Sequence, residues 1–240
     1  LSLAVLARAL QTAQRPAQAA GRAMLYATAW LVATFWWLFI SMHVYGGLPA
    51  PLAVAAVLAL AAFLGSYYAV AAWGWQRLRP AGAAGGALLF SAVWLLAELA
   101  RGWLWTGFPW GAGGYAHVEG PLSVLPRWIG VYGTGAVAAW LAYGLAALLD
   151  RQGLRPVRLV ATSAALVMAW GGLWWLRDAA INAPSAERPA LSVAMLQGNI
   201  PQDEKFEAGS GIPLALGWYG RELRAATAQL VVAPETAVPL

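Results

Sequence analysis

Hydrophobic positions run almost unbroken through the first three quarters of the chain, and from Ala23 to Gln76 no Asp, Glu, Lys or Arg appears. A run of that length crosses a hydrocarbon core about 30 Å thick twice over. With about 20 apolar residues per span, the pattern predicts membrane helices at Ala23–Met42, Pro51–Trp75, Gly85–Trp105, Leu122–Leu149 and Leu159–Leu176. The apolar stretch Leu1–Leu10, interrupted by Arg8, is expected to be the tail of a further helix rather than a signal peptide. That makes about six spans, the first of them partial, across 1–176. No internal repeat is evident, and the Ala- and Gly-rich stretches suit closely packed helices.

Past Arg177 the pattern changes. Residues 177–190 carry Asn182, Pro184, Ser185, Glu187, Arg188 and Pro189, the composition of a linker. Residues 191–240 then alternate as strand, helix and strand. Leu191–Leu196 is a short apolar run ending in Gln-Gly-Asn, Leu214–Gln229 suits a helix with Arg221, Glu222 and Arg224 on its wet side, and Leu230–Ala233 is a second apolar strand. With parallel strands and the usual right-handed crossover, Gln197 and Glu235 both fall just past the carboxyl ends of their strands, where open α/β sheets place their chemistry.

Composition and charge sharpen this picture. Hydrophobic residues make up 61% of the chain and charged ones 10%, so lipid is the expected solvent. The 15 basic residues are scattered singly, which argues against nucleic acid, because phosphate binding wants clustered cations. They are also unevenly placed between the predicted spans. Arg8, Arg15, Arg22, Arg77, Arg79, Arg151, Arg155 and Arg158 fall on odd-numbered connections, and only Arg101 and Arg127 on even ones. Cytoplasmic loops are enriched in Lys and Arg, so the odd connections are expected in the cytoplasm and everything after Leu176 on the opposite face. The chain has no Cys, hence no thiol nucleophile or thiolate metal site of its own.

Glu235 follows Pro234 directly after the second strand. A carboxylate held at a sheet rim by rigid backbone suits a general base, and a solvated loop carboxylate is the plainer alternative. His43 and His117 have no partners at metal-ligand spacing and are not read as ligands. Gly130, Gly133 and Gly135 lack a phosphate-loop lysine and suit helix packing better than nucleotide binding. Glu98 and Arg101 lie three apart near the end of a span. They are either a functional pair within the membrane or a local ion pair whose Arg snorkels to the interface, the plainer account. Trp103, Trp105, Phe108 and Trp110 share that level, as an aromatic belt does.

Four segments taken together carry a resemblance. These are His43–Pro51 (HVYGGLPAP), Ala97–Trp110 (AELARGWLWTGFPW), Leu191–Gln202 (LSVAMLQGNIPQ) and Val231–Pro239 (VVAPETAVP). In this order they resemble bacterial apolipoprotein N-acyltransferase, and the resemblance runs essentially from end to end. It implies a polytopic α-helical membrane bundle followed by the first βαβ unit of an α/β nitrilase-like domain, and a catalytic triad of Glu, Lys and Cys. The matching Glu is Glu235. The family places the Lys and Cys beyond the PET motif, so the chain is expected to be an inactive fragment lacking both termini. The implied reaction moves an acyl chain from a membrane phospholipid to the N-terminal amine of a diacylated apolipoprotein, through a thioester. The implied location is the bacterial inner membrane, with the C-terminal domain periplasmic, and no cofactor or metal is implied.

The same resemblance makes Gly107, Phe108, Pro109 and Trp110 candidates for lining the lipid's route into the site, a role compatible with an aromatic belt. It makes Phe206 an apolar wall for an acyl chain, with ordinary loop packing as the alternative. The chain departs from the family in two further places, with Ala233 and Phe206 where the family commonly has Trp. Two other classes stay in view. A transporter or scaffold with an accessory α/β domain predicts charged or broken helices around a midplane site, of which Glu98 alone is a candidate. A membrane-tethered nitrilase-like amidase shares Glu235 but leaves the aromatic segment unexplained.

Overall fold

A computed structural model of the chain describes residues 1–148, 169–176, 178–179, 190–235 and 237. The described residues form two compact units, one of helices and one built on a small sheet. The helical unit opens with α1 (Ser2–Gln11). Four helices of membrane length follow, α2 (Pro16–Ile40), α3 (Ala50–Leu78), α4 (Ala83–Trp103) and α5 (Pro126–Leu148). The chain is therefore a multi-pass membrane protein. The expected span at Leu159–Leu176 is helical over 169–176, and its remainder lies outside the described residues, as does most of the expected linker.

Helix starts follow local chemistry. Pro16 opens α2 and Pro126 opens α5, since a missing N–H costs nothing in a first turn. The expected start of α5 at Leu122 fails because Pro121 and Pro126 bracket a run of turns. At its far end α2 widens into a π-helical turn, Ser41–Tyr45, where the His43 ring donates from Nδ1 to the Leu48 carbonyl at 2.8 Å.

The core is built on small residues that let backbones approach. Ala19, Ala23, Ala27, Leu31 and Phe35 make the buried stripe of α2, and Ala53, Val57, Ala61, Leu64, Tyr68, Ala72 and Trp75 that of α3. A Cβ on Gly65 would come within 2.8 Å of Thr28 Oγ1, so a larger residue there would force the Thr28 side chain to move. Polar groups lock the remaining pairs. Trp75 Nε1 donates to the Gly86 carbonyl at 3.0 Å, joining α3 to α4, and Ser91 Oγ donates to the Ala136 carbonyl at 2.7 Å, joining α4 to α5.

Of the three glycines read as packing positions, Gly135 would set a Cβ against the backbone of Gly114, but a Cβ on Gly130 would meet open space. Gly130 instead kinks α5 with φ 67°, a backbone state open to glycine.

In the second unit, β1 (Val193–Met195) and β2 (Leu230–Val232) pair in parallel, Val193 opposite Leu230 and Met195 opposite Val232. The connecting helix α6 (Gly211–Ala225) starts three residues earlier than expected and ends earlier too. A small cluster of Ala215, Tyr219 and Ala237, with Leu196, Ile200 and Trp218 against it, forms the core. The fold is thus a helical membrane bundle followed by an incomplete α/β unit.

Candidate functional site

Glu98 and Arg101 sit on the last turns of α4, on the face that also carries Trp94 and Ala97 into the core. Both are sealed from solvent, at 2% and 0% exposure. Tyr68 of α3 completes the cluster. Its hydroxyl donates to Glu98 Oε1 at 2.6 Å and accepts from Arg101 Nε at 3.2 Å, while Arg101 Nη2 donates to Glu98 Oε2 at 3.2 Å. Arg101 Nη1 turns the other way and donates to the backbone carbonyls of Phe108 and Trp110, both at 2.7 Å. The expected snorkelling of Arg101 is therefore corrected. The ion pair is present, but the guanidinium finds carbonyl acceptors inside the protein and has no need of water.

Those carbonyls come within reach because the chain reverses at the end of α4. Leu104–Thr106 forms a tight turn in which Trp105, Thr106 and Gly107 all take positive φ, 57°, 78° and 76°. For Trp and Thr that conformation costs on the order of 1–3 kcal/mol each. At Gly107 a Cβ would overlap the carbonyl of Gly102, so the close return needs glycine. The Phe108 N–H then donates to the Arg101 carbonyl at 2.8 Å, satisfying one of the open acceptors at the helix end.

This return divides the aromatic segment. Phe108 is half-buried, edge-on to Phe35 at 5.0 Å and to Trp110 at 5.1 Å, and Trp110 meets Trp37 at 5.8 Å. Pro109 and Trp110 are exposed, as are Trp103 and Trp105. Arg22 and Arg79 lie at the opposite end of the bundle, where Arg22 donates to the Ala9 carbonyl and Arg79 to that of Gln11. His117, outside the spans, is pushed below its ordinary pKa mainly by burial. Among the described residues no group of three His, Asp or Glu is placed to hold a metal.

In the strand unit, Gln197 and Glu235 both lie beyond the carboxyl ends of the paired strands. A depression of about 170 Å³ opens there, lined by Gln197, Asn199, Ile200, Lys205, Tyr219 and Pro234. Gln197 Nε2 donates to Asn199 Oδ1 at 2.8 Å, and the Tyr219 hydroxyl accepts from the Gly198 N–H at 3.0 Å, fixing the loop to α6. Glu235 follows Pro234 in an exposed turn. Phe206, next to Lys205, is also exposed and lies outside the lining.

Sequence reasoning missed Tyr68, Lys205 and Tyr219. Tyr68 carried a usable signal, being a hydroxyl set among Ala61, Ala72 and Trp75 on one stripe of a span.

The helical unit matches a family model described as "Apolipoprotein N-acyltransferase N-terminal domain" over residues 1–144. The chain belongs to the apolipoprotein N-acyltransferase family. It is 60% identical over 248 residues to "Apolipoprotein N-acyltransferase" of Verminephrobacter eiseniae, covering 100% of this chain and 46% of that protein. The proteins of the same name from Ralstonia nicotianae and Chromobacterium violaceum are 44% and 37% identical, again across 100% of this chain and 45% of each. The chain thus spans about half the length of the curated family members it matches.

Proposed function

We propose that this chain provides the membrane bundle (1–176), the linker (177–190) and the opening βαβ unit of a periplasmic nitrilase-like domain (191–240) in an inner-membrane acyltransferase. The enzyme moves an acyl chain from a membrane phospholipid to the N-terminal amine of diacylglyceryl-cysteine on an apolipoprotein. A Cys thiolate outside these residues attacks the ester carbonyl, and the tetrahedral intermediate expels the lysophospholipid alkoxide. Glu235 acts as general base, taking the thiol proton and returning it to the departing alkoxide. The lipoprotein amine then attacks the thioester, loses its proton to the base and releases the thiolate.

The observation that carries this reading is the parallel pairing of β1 with β2, because it sets Gln197 and Glu235 at one rim of the sheet. The membrane bundle supports a lipid donor, and the family supports the reaction class. Gly107, Phe108, Pro109 and Trp110 are assigned to the lipid's route, since the exposed Trp110 ring and the half-buried Phe108 beside it lie at a span end, where a surface that meets acyl chains is expected. Phe206 is assigned to the acyl wall, being an exposed ring beside the polar depression. A transporter is disfavoured by the sealing of Glu98 and Arg101, which leaves that pair no path to a substrate.

The test is Glu235→Gln in the full-length protein, followed by transfer of a labelled acyl chain from phospholipid micelles to a diacylated lipopeptide. Transfer is expected to vanish, and near-normal turnover would remove Glu235 from the mechanism.

A further inference from the structure

A buried Arg beside a membrane span is costly unless its donors are satisfied, and an apolar side chain would fill the same space more cheaply. Arg101 nonetheless spends four of its five N–H donors within the protein. Two go to Tyr68 and Glu98, and two to the carbonyls of Phe108 and Trp110. Glu98 and Tyr68 fix the plane of the guanidinium, and that plane fixes where two alternate residues of the aromatic segment lie. The acceptors are main-chain carbonyls, so the contact sets the path of the segment whatever its side chains are. Three successive positive φ values precede it, so the turn needs an outside hold to keep its shape.

We propose that Arg101, oriented by Glu98 and Tyr68, is a positioning residue that staples Gly107–Trp110 across the end of α4 and so sets how Phe108 and Trp110 meet the acyl chain of the phospholipid donor. This rests on the reading of that segment as lining the lipid's route. A fork is required. Lys keeps the charge and the pairing with Glu98 but cannot bridge both carbonyls and Tyr68 from one point.

The test uses the full-length protein in phospholipid micelles with two readouts. Amide hydrogen exchange of the peptide covering 104–112 reports the staple itself. It is expected to rise in Arg101→Gln and Arg101→Lys, and less in Tyr68→Phe, while α3 and α4 stay protected. The kcat/KM for phospholipid reports the consequence. It is expected to fall on the order of 100-fold in Arg101→Gln, the scale of a misplaced binding surface, with most of the loss in KM and little in the deacylation step.

Combining Arg101→Gln with Trp110→Ala should add little beyond either change alone. Additive losses would overturn the proposal, as would wild-type exchange in both Arg101 variants. If Arg101→Gln fails to fold, Arg101→Lys and Tyr68→Phe carry both readouts, and wild-type behaviour of Arg101→Lys in the two would equally overturn it. If Trp110→Ala alone leaves kcat/KM unchanged, the lining role falls, while the exchange data still decide the staple.

Discussion

In the helical unit a charged side chain, Arg101, is fully buried and meets an acceptor on nearly every donor. In the strand unit an apolar one, Met195, stands 81% exposed on a strand of three residues, with Leu230 and Val232 half in solvent on the other. The inversion follows from what each solvent demands. Lipid offers no hydrogen bonds, so a span must satisfy its polar groups internally, and helices do so one by one. A sheet meets its needs only through neighbours. Among the described residues, two parallel strands with one helix leave an open edge and an uncovered face, and the six residues that include Ala215 and Tyr219 are a small core.

The largest expected break in this comparison comes from separating the units. Residues 1–148 in detergent micelles should retain helical circular dichroism and resist protease, whereas a peptide of residues 190–240 in water should show no cooperative thermal transition. A cooperative melt of that peptide would make the strand unit as self-sufficient as the bundle. Next in size is Glu98→Ala, which leaves the Arg101 guanidinium buried without its counter-charge. Loss of one partner of a buried pair costs about 3–5 kcal/mol, to be read from unfolding in mixed detergent. Gly107→Ala should follow at about 2 kcal/mol, from a strained φ and a methyl driven onto the Gly102 carbonyl.

The smallest pair makes the same change in both units. Ser91→Ala removes a part-buried bond to the Ala136 carbonyl and should cost about 1 kcal/mol. Ser192→Ala removes the exposed hydroxyl contacts with Gln229, leaving the Ser192 N–H bond to Gln229 Oε1, and should stay within about 0.5 kcal/mol in the full-length protein. Equal costs would mean that the strand unit is better sealed than its exposed side chains indicate.

The spans were legible because charge is nearly excluded from them over lengths no soluble helix requires, but hydropathy alone put the starts of α2 and α5 at Ala23 and Leu122, whereas Pro16 and Pro126 open them. The βαβ unit was legible from alternation and from the breaks at Gly198 and Pro234, although the strands pair over fewer residues than the apolar runs contain. What Arg101 does was not legible. An i, i+3 pair with Glu98 reads the same whether it faces lipid, water or protein. Its carbonyl acceptors come from a reversal that depends on Gly102 and Gly107 standing close in space. Tyr68 lies 33 residues away on another helix, and spacing along the chain cannot bring it in. For Glu235 the position past β2 was foreseen from the strand pattern and the PET motif, but an exposed carboxylate in a turn gains a chemical role only beside a nucleophile.

The most direct measurement is therefore of acyl-enzyme formation. Full-length protein is mixed with a phospholipid of one defined acyl chain, without lipoprotein acceptor, and its intact mass is followed by mass spectrometry. Wild-type protein should gain the mass of a single acyl chain and Glu235→Gln should stay unmodified over the same interval. Acylation of Glu235→Gln at the wild-type rate would contradict the account.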